Sequence, residues 1–101
     1  MYAYTQDVPI GPEVYARIID ELGPEPLTGA LLHLCVSRPD GGLRYIDVWE
    51  SEEACDAAFE TVIHPAVHPV LEARGIRPAG EPPRVPVEVV EVRLPERALA
   101  G

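Results

Sequence analysis

Residues 2 to 8, YAYTQDV, alternate well enough between apolar and polar positions to predict a first strand. PIGP then opens a helix, with Pro12 in its first turn and Glu13 near the positive end of its dipole. Val14, Tyr15, Ile18, Ile19 and Leu22 recur at helical spacing on one side, Arg17, Asp20 and Glu21 lie on the other, and Gly23-Pro24 stops the helix. GALLHLCVSR and LRYIDVWE, two β-rich runs around PDGG, predict a hairpin. Pro39-Asp40 suits a type I turn and Gly41 the left-handed residue after it, so Arg38 pairs with Gly42.

That register has consequences for both faces of the hairpin. His33 falls opposite Asp47, Cys35 opposite Tyr45, and Leu31 opposite Trp49. The other face collects Leu32, Leu34, Val36, Ile46 and Val48, an aliphatic surface suited to packing under helices. The expectation is that the helices cover this aliphatic face and leave the Tyr45/Asp47/Trp49 face bare. A bare face carrying Leu31, Cys35, Tyr45 and Trp49 is a large apolar patch for a monomer, and two sheets paired face to face would bury it. A homodimer enclosing a cavity follows.

Ser51 caps a second helix, ESEEACDAAFETVI, with Glu52 and Glu53 in its first turn and Cys55, Ala58, Phe59 and Val62 as its apolar stripe. VIHPAVHPV comes next, with His64 and His68 four positions apart, each before a proline. Proline lacks an N–H and disfavours helix at the residue before it, so the helix is expected to break near His64 and resume from about Pro65 or Pro69 until Gly75. RPAGEPPRVP reads as an extended connection, and VPVEVVEVRL as a last strand buried on both faces. The order strand, helix, strand, strand, helix, strand is the α+β, ferredoxin-like βαββαβ plan: a four-stranded antiparallel sheet with both helices on one face. Residues 1–94 form one domain and 95–101 a short C-terminal tail.

Composition narrows the function classes. The formal charge of -9 and the lack of a basic cluster repel phosphate backbones and anionic lipid, so neither nucleic acid nor a membrane surface is an expected partner. No run of eighteen apolar residues and no basic-then-apolar leader is present, which reads as a cytoplasmic protein. Cys35 and Cys55 lack ligand spacing and read as reduced thiols. Motifs for nucleotide, phosphate, serine-hydrolase and zincin chemistry are missing from the sequence.

The element order resembles the dimeric α+β barrel superfamily over nearly the whole chain. DVWESEEACDAAFE is similar to the strand end and second-helix start of its antibiotic biosynthesis monooxygenase-like group. IHPAVHP is similar to the His-Pro-x-His segment of the stress-responsive barrel branch, which includes a plant polyketide cyclase; two residues separate Pro65 from His68 here, so His64 aligns without a gap. The resemblance implies a small homodimer that binds an apolar or aromatic molecule, with a cofactor-free monooxygenase-like activity. The alternatives are a cyclase-like acid/base enzyme, and a non-catalytic ligand-binding or dimerisation module.

Candidate chemistry centres on the histidines. A carboxylate beside an imidazole orients its tautomer and raises its basicity, so His33 with Asp47 is the leading catalytic dyad. His64 and His68 are further catalytic candidates at the mouth of the barrel. Tyr45, Trp49, Leu31 and Cys35 share the dyad's face and are candidates for contact with substrate. An i,i+4 histidine pair can hold a metal on a regular helix, but the prolines weigh against that geometry, and no metal or cofactor is expected.

Overall fold

The computed structural model describes residues 1–76 and 81–93. Its elements run β1 (Tyr2–Val8), α1 (Pro12–Leu22), β2 (Ala30–Ser37), β3 (Leu43–Trp49), α2 (Glu52–Ala58), α3 (His64–Ala73) and β4 (Arg84–Val87). The strands form one antiparallel sheet in the order β2-β3-β1-β4, the ferredoxin-like arrangement. The connection at 77–80 and the tail at 95–101 lie outside the described residues.

Local chemistry explains the element ends. Gly11 caps α1, Pro12 takes its first position, and Gly23 ends it at φ +80°. The hairpin loop forms as its sequence predicts. Gly41 sits at φ +92°, its N–H reaches the Arg38 carbonyl at 3.0 Å, and the Arg38 N–H reaches the Gly42 carbonyl at 2.8 Å. Asp40 adds a side-chain acceptor for the Gly42 N–H at 2.9 Å. His33 therefore pairs with Asp47 and Cys35 with Tyr45. At the far end the register slips at a bulge between Ala30 and Leu32, so Ala30, not Leu31, faces Trp49.

The covered face of the sheet is the reverse of the expectation. Tyr4, Trp49, Cys55, Ala58 and Phe59 pack together between sheet and helices, and Val8, Ile10, Ile18, Leu43 and Val70 form a second cluster there. The helices thus lie over the face that carries Tyr45, Asp47 and Trp49. Leu32, Leu34, Val36, Ile46 and Val48 are on the open side. Strand twist holds the crossover from β1 through α1 to the parallel β2 to one hand, so topology selects the covered face whatever its aliphatic content. On the open face, Val87 to Arg93 run beside Ala3, Leu32, Ile46 and Val48, and Ala3 and Val48 are buried. Asp7 and Arg44, cross-strand neighbours, close its end with two hydrogen bonds, Nε to Oδ1 at 2.6 Å and a second at 3.1 Å.

Two further elements differ from the sequence reading. The second helix does not break at His64. It passes from α2 into α3 through a π turn, Phe59–Ile63, and the His64 N–H bonds the Phe59 carbonyl five residues back. The wide turn carries one extra residue and brings Pro65 to the start of α3, where its missing N–H is tolerated. Strand β4 is four residues long and ends at Val87, and the expected strand to Leu94 does not form among the described residues. Pro86 sits on this edge strand, the position in a sheet that accepts proline.

Candidate functional site

The π turn sets the phase of the helix that follows it. Phe59, Ile63, Val67 and Leu71 make one row at i,i+4 spacing, and His64, His68 and Glu72 make the row beside it. Both rows line a cavity of about 490 Å³ between the helices and the sheet. The opposite wall is Val8, Ile10, Ile18 and Tyr45, with Gln6 and Glu81-Pro82 closing one side. Apolar surface dominates, and the polar groups are few, as in pockets that seat small organic molecules.

Each polar group has an identifiable support. The buried Gln6 donates from Nε2 to the Pro82 carbonyl at 2.8 Å and so ties the segment leading into β4 to the cavity wall. His64 Nε2 lies 3.4 Å from Glu81 Oε1, and its ring stands edge-on to Phe59. The rings of His64 and His68 stack with centroids 5.0 Å apart and planes 13° from parallel. Arg84 reaches Asp56 Oδ1 at 2.8 Å while its guanidinium lies over Phe59 and Tyr4, 4.4 and 5.3 Å from their centroids. Burial pushes the Tyr45 phenol well above its usual range, so it stays protonated and can donate to a substrate oxygen.

His33 and Asp47 do meet, His33 Nδ1 against Asp47 Oδ1, on the helix side of the sheet. They do not line the cavity. His33 Nε2 is taken by the Tyr15 hydroxyl at 2.7 Å, so Asp47, His33 and Tyr15 form a hydrogen-bonded chain at the outer edge of β2. Tyr45 separates the two sites: it borders the cavity, and its ring centroid is 5.3 Å from that of His33 and 5.7 Å from that of Tyr15.

The remaining sequence candidates are spread out. Trp49 is buried against Phe59 in the core and does not face the cavity. Cys35 packs beside the second apolar cluster, and Leu31 is exposed past the bulge. Tyr45 alone of the four proposed contact residues lines the cavity. Sequence reading did not single out Gln6, Glu81 or Tyr15. The alignment of Phe59, Ile63, Val67 and Leu71 was available as a period of four, but the expected break at His64 concealed it.

Among the described residues, no three His, Cys, Asp or Glu side chains converge as metal ligands, and no helix is long and apolar enough to cross a membrane. Comparison with protein-family models and with curated proteins finds no match to this chain.

Proposed function

We propose that this chain is a homodimeric barrel protein of the dimeric α+β barrel type. It binds a small apolar or aromatic molecule between sheet and helices and oxidises it as a cofactor-independent, monooxygenase-like enzyme. The observation that carries the reading is the cavity of about 490 Å³, in which an apolar helical row lies beside the His64/His68 row. Such a site holds an aromatic ring by burial and presents an imidazole to its acidic proton.

The chemistry follows from that placement. An imidazole of the pair takes a proton from a phenol or from carbon next to a carbonyl, and Glu81 beside His64 steadies the resulting imidazolium. Tyr45 donates to the substrate oxygen that gains charge. The delocalised anion reduces dioxygen and forms a carbon hydroperoxide, which loses water to leave a carbonyl. One oxygen atom ends in the product and the other in water.

The dimer is supported by the open sheet face. On that face Leu34 is 46% exposed and Val85 56%, and Val87 to Arg93 run beside Ala3, Leu32, Ile46 and Val48. An apolar sheet face needs a second layer, and a second copy with the same face supplies one by two-fold symmetry.

Titration with 1-naphthol, followed by fluorescence, tests the cavity, and an oxygen electrode with hydroxyanthrone-type substrates tests the reaction. His64→Gln and His68→Gln are expected to keep naphthol affinity within about threefold, and the variant that removes the base to lower turnover at least about 100-fold. Ring closure without dioxygen uptake would reassign the protein as a cyclase. Tight naphthol binding with no turnover of any phenol or diketone would make it a binding module, and no binding at all would end the cavity reading.

A further inference from the structure

The Tyr15–His33–Asp47 chain stands outside the cavity and has no part in the reaction proposed there. The buried Asp47 carboxylate, 7% exposed, accepts from His33 Nδ1, which leaves the lone pair on Nε2. That lone pair faces the Tyr15 hydroxyl at 2.7 Å. A base held in one tautomer by a buried acid and aimed at a hydroxyl is the arrangement that activates oxygen nucleophiles, recognised by geometry and not by chain order. The His33 side chain is 44% exposed, so reagents in solution can reach it.

We propose that Tyr15, His33 and Asp47 form a second, nucleophilic site, at which the Tyr15 hydroxyl accepts the acyl group of activated esters. Tyr15 Oη forms a bond to the ester carbonyl carbon and its proton passes to His33 Nε2. The bond from that carbon to the leaving oxygen breaks, the leaving group departs as phenolate, and the imidazolium returns its proton to solvent. Asp47 acts as a positioning residue through the His33 ring. Ile19, one helical turn beyond Tyr15, is exposed and offers apolar surface to a short acyl chain.

The phenol alone is a poor nucleophile at neutral pH. Burial, with the nearby Cys35 and the Asp47 charge, pushes the Tyr15 pKa up to about 12. Reaction near pH 7 therefore requires the imidazole, and this makes the site testable by removing it. The sequence contains no lysine, so the competing nucleophiles are the amino terminus, the cysteines and the other histidines.

The experiment is rapid mixing of the full chain with p-nitrophenyl acetate at about pH 7.5, followed by peptide mass spectrometry. The expected result is a burst of about one phenolate per chain and an acetyl group on Tyr15. Tyr15→Phe should abolish the burst, His33→Gln should slow it by roughly 100-fold, and Cys35→Ser should leave it in place. Asp47→Asn should slow it and also remove the downfield His33 ring N–H resonance in the proton spectrum. Far-ultraviolet circular dichroism and the urea midpoint should be unchanged in Tyr15→Phe, which reports an intact fold without reference to the cavity reading. A burst that survives in Tyr15→Phe, an adduct on Cys35 or a histidine, or no burst from folded protein would each overturn the proposal.

Discussion

Gln6 is a single buried amide on which one side of the cavity depends. It donates to the Pro82 carbonyl at 2.8 Å, and the removal of one partner from a buried hydrogen bond costs more than the bond's net worth. Gln6→Leu is expected to lower stability by about 1–3 kcal/mol and to weaken naphthol binding, since it frees the 81–83 segment. Urea unfolding checks the first part, and an unchanged midpoint would mean that Pro82 finds another donor. At this scale the His33–Asp47 contact was legible in the sequence, because one hairpin loop sets every pairing in β2 and β3 up to the bulge. Tyr15 was legible only as part of an apolar helical stripe. Its contact with His33 spans eighteen positions and depends on how α1 lies across the sheet, which no local pattern carries.

The continuous α2–π–α3 helix is the element with the strongest internal conflict. Pro65 is absorbed by the π turn, but Pro69 sits inside α3, lacks an N–H and crowds the Pro65 carbonyl. Its ring is exposed, so it gains little from packing. Pro69→Ala is expected to raise stability by about 1–3 kcal/mol, read as a higher urea midpoint. A loss of stability would show that Pro69 is needed to seat Val70 in the core. From the sequence, two prolines four apart predict a break. The helix instead continues because Phe59, Ile63, Val67, Val70 and Leu71 all pack inward along it, and their burial outweighs the cost of the internal proline.

At the scale of the whole molecule the open face and the buried tyrosines each give a prediction. Leu34→Glu places a charge on the open sheet face and is expected to convert the proposed dimer to monomer in analytical ultracentrifugation, with unchanged far-ultraviolet circular dichroism. A wild-type monomer at micromolar concentration would remove the dimer from the reading. Tyr4, Tyr15 and Tyr45 are all held above their ordinary 10.0, mainly by burial. The folded chain then binds more protons than the unfolded chain at alkaline pH, so stability is complete below about pH 10 and falls as pH rises beyond it. Melting temperature against pH should decline from about pH 10 upward, with phenolate absorbance appearing as the chain unfolds. A flat profile with phenolate forming in the folded state would contradict the burial of these rings.

The sequence by itself determined the element order, the hairpin loop and the division of each strand into two faces, because these follow from short-range dihedral preferences and periods of two and near four. It did not decide which face of the sheet the helices cover. Both faces are apolar enough to be buried, and the choice belongs to the handedness of the crossover between strands that are distant in sequence. That choice placed Tyr45, Trp49 and the His33–Asp47 pair under the helices and left the aliphatic face on the other side of the sheet, with Leu34 and Val36 exposed. It also put the two histidines of VIHPAVHPV against a cavity, through a π turn stabilised by packing that no single stretch of the chain contains.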